Sequence, residues 1–314
     1  MNSSPSGVEP EAIAILKLTN KSTVYRLAGV GPDGSAVVGK RCRAATARIE
    51  SIIHQEFLAH LPLPALRCYG FVEEPDGEFC WLFLEEAVGQ EYSPLDAEHR
   101  ALAGRWLAAV HTAAIKCGLQ RLLPVREPSH YLNLLQASIN NFRQHLANPA
   151  LRADDLETLR ALVLHGEALV SRWSALEETC AGIPRALTHG DFVIKNVRVR
   201  STQTGLALLV FDWEVASWGV PATDFAQFIG RTVSPDIHAY CSSEGSPLGS
   251  DIRSIQKLAI CGKFFRLIYA IHWATSLLEF KPYEFLAKPM SCLKRYESRA
   301  AEALIASPVP RRNC

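Results

Sequence analysis

Residues 186 to 228 read ALTHGDFVIKNVRVRSTQTGLALLVFDWEVASWGVPATDFAQF. Two short apolar runs, Val197–Val199 and Leu206–Phe211, bracket the polar turn Ser201–Gly205, which is the sequence form of a β-hairpin. Three polar side chains are tied to that hairpin. Asp191 lies on the loop leading in, Asn196 at the first strand, and Asp212 at the end of the second. Strands hold such groups rigidly, so two carboxylates and an amide are brought close together. That set suits a proton acceptor beside a clamp for a divalent cation. Either aspartate alone reads as a helix cap or a turn residue; their joint spacing is what points to chemistry.

His189-x-Asp191-x4-Asn196, followed by Asp212, has the spacing of a kinase catalytic loop and its metal-binding aspartate. More closely, H-G-D-x4-N with the later F-D-W-E and G-x-P-x-x-D-F resembles the aminoglycoside phosphotransferase and choline kinase family. Its members have a protein-kinase-like fold and phosphorylate small molecules. The resemblance implies an α+β, two-lobed molecule with a small antiparallel sheet and one main helix ahead of a larger helical lobe. It further implies that Asp191 is the catalytic base, that Asn196 and Asp212 hold Mg²⁺, and that ATP or GTP is the donor. His189 and Asp224 read as braces of the catalytic loop. Protein kinases would instead show H-R-D and D-F-G, and an A-P-E-like segment after Asp212; here Gly219-Val220-Pro221 arrives within a few residues. One departure stands out. Relatives commonly carry a His-Pro-Gly-like run before the asparagine, whereas this chain has Phe192-Val193-Ile194-Lys195. Lys195 is either a catalytic residue approaching the γ-phosphate or a surface lysine.

Upstream, Ala12–Leu18, Thr23–Val30 and Ser35–Arg41 read as three strands, with the turn Gly31-Pro32-Asp33-Gly34 before the third. The loop containing Ser22 and Thr23 sits where the family covers the nucleotide phosphates. It lacks G-x-G-x-x-G, and no Walker motif occurs, but small polar residues can offer amides and hydroxyls to phosphate oxygens. Lys40 ends the third strand. In the helix expected over Ala44–Leu61, Ile49, Ile52, Ile53, Phe57 and Leu61 recur at helical spacing. At roughly 100° per residue Glu56 falls inside that apolar stripe. A carboxylate on a buried face needs a cation. Lys40 is the expected partner, forming the lysine–glutamate pair that orients a kinase lysine toward the α- and β-phosphates. Glu50, at the stripe's edge, is the second choice.

Leu66–Val72 and Phe79–Leu84 complete a five-stranded sheet. The following Leu84–Gly89 matches the family's hinge, where backbone groups around Glu85 and Ala87 would meet the adenine. Helices are expected over 97–114, 133–147, 154–179, 251–278 and 289–306, with a long loop over 231–250. The domain reading is a disordered 1–10, a nucleotide-binding lobe 11–88, a catalytic and substrate lobe 89–307, and a tail 308–314.

Composition fits this picture. The 314 residues are 48% hydrophobic and 21% charged, with net charge +1, so no overall field calls for nucleic acid or an anionic membrane. Nine cysteines are scattered without a C-x2-C pair, which favours reduced thiols and a cytoplasmic setting. The N-terminus lacks the basic and apolar regions of a signal peptide. The resemblance implies a small-molecule hydroxyl acceptor. Aminoglycosides are polycations that favour an acidic pocket. Between Pro221 and Pro289 the acids are balanced by at least as many Lys and Arg residues, which weakens that acceptor class. The alternative is a catalytically inactive kinase-like nucleotide-binding module.

Overall fold

The computed structural model describes residues 9–19, 22–249 and 251–306. The disorder expected over the first residues, the tail 308–314, and Asn20 and Lys21 of the phosphate-side loop lie outside these apart from Glu9 and Pro10. Five strands open the chain: β1 (Ala12–Leu18), β2 (Ser22–Ala28), β3 (Val37–Arg43), β4 (Cys68–Glu73) and β5 (Phe79–Glu85). They form one antiparallel sheet in the order β1-β2-β3-β5-β4. Its register pairs Val24 with Lys40 and Lys40 with Leu82. Lys40 therefore sits mid-strand rather than at a strand end. β3 starts and stops two residues later than its apolar run suggests, because Cys42 still pairs with Cys80.

Helix α1 (Ala44–Ile52) follows β3 directly and continues as a π turn over Ile53–Phe57 and a 3₁₀ turn over Leu58–His60. Its buried row is Ala44, Ala47, Glu50 and Ser51. Ala44 and Ala47 pack with Cys42 and Cys80 of the sheet. Small residues permit that close approach, and they bring Glu50 against β3.

Short β6 (Gln90–Glu91) leads to α2 (Ala97–Cys117), capped by Asp96, whose side chain accepts from the Glu98 and His99 amides. Next come β7 (Val125–Arg126), α3 (Pro128–His145), α4 (Ala153–Val170) and α5 (Trp173–Cys180). The single helix expected over 154–179 is broken at Ser171–Arg172, where Trp173 turns in to the core. Then follow β8 (Ala186–Thr188), the hairpin β9 (Val197–Thr202) and β10 (Gly205–Val210), and β11 (Ser217–Gly219). β6 pairs with β9, and β11 joins β7 to β8. The expected long loop carries a short helix, α6 (Ile237–Cys241), capped by Asp236. Two long helices close the chain, α7 (Ile252–Thr275) and α8 (Tyr283–Ala306). α8 begins before Pro289 and runs through it, burying Leu286, Met290 and Leu293 on one side. That burial outweighs the amide hydrogen bond which proline forgoes.

The largest apolar core lies among α2, α3, α7 and the hairpin, with Trp213, Phe225, Phe265 and Leu107 inside. α7 meets the 3₁₀ turn Pro221–Phe225 through Gly262, where a Cβ would lie 1.8 Å from the Ala222 carbonyl oxygen. Every cysteine among the described residues is a free thiol. No helix among them is long and apolar enough to cross a membrane.

Candidate active site

The hairpin organises the site as its sequence suggests. β9 and β10 pair from Thr202–Gly205 down to Val197–Val210. Just below, the Phe211 amide donates to the Asn196 carbonyl at 3.1 Å, so Asn196 and Asp212 leave the same end of the hairpin. Asp212 itself has φ +67°, a left-handed backbone that turns the chain sharply out of β10. Aspartate tolerates this better than most residues.

The loop before the hairpin is braced from behind. Asp224 accepts from the His189 amide at 2.7 Å and the Gly190 amide at 3.1 Å. Gly190 has φ +76°, and a Cβ there would lie 2.6 Å from the Val215 carbonyl oxygen, so only glycine fits. The fully buried His189 ring makes two contacts. Its Nδ1 accepts from the Asp191 amide at 3.2 Å, and its Nε2 faces the Phe211 carbonyl at 3.1 Å. One nitrogen accepting and the other donating defines a neutral imidazole. Burial, which pushes the His189 pKa down, agrees. The histidine thus ties the loop of Asp191 to the strand end of Asp212.

The charged side chains form two sets, one around Lys40 and one around Asp191. Lys40 Nζ lies 2.5 Å from Asp212 Oδ1, 2.9 Å from Glu50 Oε2 and 3.6 Å from Glu214 Oε2. Asn196 Nδ2 donates to Asp191 Oδ2 at 3.1 Å and to the Asp191 carbonyl at 2.9 Å. Lys195 Nζ lies 3.3 Å from Asp191 Oδ2. Burial lowers the Lys40 pKa, but Glu50, Asp212 and Glu214 outweigh it and hold the ammonium well above its ordinary value. Burial likewise raises the two aspartates. Arg266 and Lys195 reverse this at Asp191, Lys40 does so at Asp212, and both carboxyls end below the usual range.

Glu56 is not the partner of Lys40. Glu56 is exposed, and Glu50, fully buried, makes the pair. The helix turns its small-residue row, not its isoleucine stripe, toward the sheet, and the π turn after Ile52 removes the ideal period on which Glu56 was placed. Ala44 and Ala47, spaced three apart and three before Glu50, carried the missed signal. Glu50→Gln should lower kcat/KM by on the order of tenfold to a hundredfold through misplacement of Lys40. Glu56→Gln should leave activity unchanged and shift stability by less than about 0.5 kcal/mol. Steady-state kinetics and thermal melts of the two variants separate the positions.

A cleft of about 290 Å³ opens between the sheet and the hairpin, lined by Leu16, Lys17, Val24, Val38, Lys40 and Glu50 on the sheet side. Leu84, Glu85, Glu86 and Ala87 form its back, and Arg198, Phe211 and Asp212 its floor. Glu85 and Ala87 both line this cleft. Among the described residues neither backbone group of Ala87 is hydrogen-bonded, so both are available to a ligand edge. Ser22 and Thr23 do not line the cleft. Thr19 Oγ1 accepts from the Ser22 amide at 3.1 Å and folds that turn on itself. Strand alternation then presents Val24 rather than Thr23 to the cleft.

Two groups escaped sequence reading. Glu214, in the quoted F-D-W-E, reaches Lys40. Arg266, from α7, donates to Asp191 Oδ1 and to the Gly190 carbonyl, each at 3.1 Å. No local pattern marks a single arginine on a helix so distant in sequence.

Asn196 and Asp212 fit a magnesium ion. Asn196 Oδ1 and Asp212 Oδ2 are hard oxygen donors that accept no hydrogen bond among the described residues. Those residues contain no cluster of three or more His, Cys, Asp or Glu able to hold a metal alone. Magnesium is commonly bound in this way, by one or two carboxylates with waters and substrate phosphates completing the shell.

The family model of the phosphotransferase enzyme family matches residues 20–242. No curated protein matches the chain significantly. Among solved structures, the chain is similar to APH(2")-IIia in complex with GDP and kanamycin, at 12% identity and TM-score 0.63, covering 93% of this chain and 95% of that one. It is also similar to ethanolamine kinase of Plasmodium vivax, at 13% identity and TM-score 0.58, covering 92% and 83%. A third likeness is spectinomycin phosphotransferase in complex with ADP and spectinomycin, at 11% identity and TM-score 0.56, covering 96% and 94%. At these identities the shared property is the fold.

Proposed function

Because the chain belongs to the phosphotransferase enzyme family and is thus a phosphotransferase, we propose that it transfers the γ-phosphate of ATP, or of GTP, to a hydroxyl of a small molecule. One observation supports this most directly: Lys40 pairs with Asp212 in the cleft, Asn196 bonds Asp191, and the Phe211 amide on the Asn196 carbonyl brings Asp212 and Asn196 out at the same end of the hairpin.

In this reading the purine lies between Leu16, Val24 and Val38 on one side and Phe211 on the other, with its edge on the Ala87 backbone. Lys40, steered by Glu50, anchors the α/β-phosphate end. Asn196 and Asp212 would hold Mg²⁺, which supplies charge neutralisation for the phosphates. Asp191 accepts a hydrogen bond from the acceptor hydroxyl and late in the reaction takes its proton. The acceptor oxygen bonds to the γ-phosphorus as the bond to the β–γ bridging oxygen breaks, and the nucleoside diphosphate leaves. Lys195, 60% exposed at its side chain and 3.3 Å from Asp191, is placed to approach the transferred group. Arg266 is a positioning residue that holds Asp191 ionised and aimed.

The test is an acceptor screen with purified full-length protein, Mg²⁺ and ATP or GTP, read as nucleoside diphosphate release and phosphate incorporation. Transfer to at least one hydroxylated acceptor is expected. Nucleotide binding without transfer to any member of a broad panel, unchanged by Asp191→Ala, would reverse the reading in favour of an inactive module.

A further inference from the structure

Asp191 is paired with two cations, and further arginines lie on the segments packed against its loop. Lys195 and Arg266 contact it directly. Residues 231–233 run alongside 192–194: the Ile194 amide donates to the Arg231 carbonyl at 2.9 Å, and the Val233 amide to the Phe192 carbonyl at 3.2 Å. Val193 and Thr232 form the antiparallel bridge between them, so Arg231 lies opposite Ile194, the residue before Lys195. Arg299 of α8 lays its guanidinium on the same loop, where a Cβ built on Gly230 would lie 2.8 Å from Nη1. On the other side Arg126 donates to the Val215 carbonyl at 2.9 Å and stands 5.5 Å from the Tyr269 ring, one helical turn beyond Arg266.

Arg126, Arg231 and Arg299 have no ion-pair partner among the described residues. Three nearby acids are engaged elsewhere, Glu214 with Lys40, Glu127 with Arg185 and Glu297 with His165, while Glu302, one turn past Arg299 on α8, is exposed. Gathering like charges beside a site is unfavourable unless an anion is meant to lie among them. Guanidinium forks suit carboxylate and phosphate, while the same field repels a polycation.

We infer that the acceptor is a hydroxylated anion, a small molecule carrying a carboxylate or phosphate near the hydroxyl that is phosphorylated, with Arg231 and Arg299 as its anion-binding residues. This rests on the phosphotransferase reading of the site. The donor's own phosphate tail is the other anion that such a rim could serve, and kinetics distinguish the two.

The experiment uses the full-length chain with Mg²⁺ and ATP against sugar acids, sugar phosphates and hydroxy acids, each beside its neutral parent and its amino analogue: glucuronate, glucose and glucosamine form one such set. Kanamycin is included as a polycation. Anionic members should show the highest kcat/KM. In Arg231→Gln/Arg299→Gln, checked for folding by thermal melt, the acceptor KM should rise at least about tenfold, as expected for losing charge-assisted contacts. The KM for ATP and kcat should change little. If the double variant does not fold, the single variants should each raise the acceptor KM. Equal or better turnover of neutral or cationic members overturns the inference while leaving the kinase reading intact. A rise in the KM for ATP instead of the acceptor's overturns it too. Bound nucleotide with no transfer to any member overturns both.

Discussion

Asp191→Asn is expected to reduce kcat by roughly 10²- to 10⁴-fold, the usual contribution of a positioned general base. The substitution keeps the side chain's shape, one of the two hydrogen bonds it accepts from Asn196 and Arg266, and the loop geometry set by His189 and Asp224. What it removes is the negative charge that accepts the hydroxyl proton. The KM for nucleotide should stay within a few-fold, because Asp191 lies beyond Lys40 and Asp212 from the cleft. A loss confined to kcat marks a group acting in the transition state; a loss confined to nucleotide KM would sink the assignment. The pH profile carries a second readout. Burial alone would raise the Asp191 carboxyl, but Arg266 and Lys195 hold it below the usual value of about 4. A carboxyl depressed on folding contributes stability above its unfolded pKa and loses it as pH falls through the folded one. Asp191 therefore stays ionised through the neutral and mildly acidic range. Arg266→Ala should move the acidic limb of kcat/KM upward without abolishing activity at neutral pH.

Asp212→Asn is the second large effect. Asparagine also tolerates φ +67°, so the turn out of β10 survives. The variant loses the carboxylate that would share Mg²⁺ with Asn196, together with the ion pair to Lys40. Metal neutralisation of phosphate charge is worth several kcal/mol, so kcat/KM should fall on the order of 10²- to 10³-fold. The concentration of Mg²⁺ for half-maximal activity should rise as well. A variant with wild-type Mg²⁺ dependence would show that the cation is held elsewhere. In stability the change is smaller, because Lys40 keeps Glu50 at 2.9 Å and Glu214 at 3.6 Å.

Much of this site was legible in the chain because its parts are close in sequence. His189, Asp191, Asn196 and Asp212 lie on one loop and one hairpin, where strand period and turn chemistry leave few arrangements. The antiparallel pairing of the first three strands followed from the same local signals, whereas the place of β5 between β3 and β4 did not. The catalytic spacing then named the family correctly.

What the tertiary structure alone decided are the contacts between elements. The lysine's partner depended on which face α1 turned to the sheet, and close packing of Ala44 and Ala47 on Cys42 and Cys80 chose Glu50 over Glu56. Val24, and not Ser22 or Thr23 before it, lines the cleft. Arg266 reaches Asp191 across 75 residues of chain, and Arg299 reaches Gly230 from the last helix. Local sequence sets the conformation of a segment, because backbone sterics and side-chain period act over a few residues. Which surfaces then meet is decided by packing in three dimensions, and the charges around Asp191 are a product of that packing.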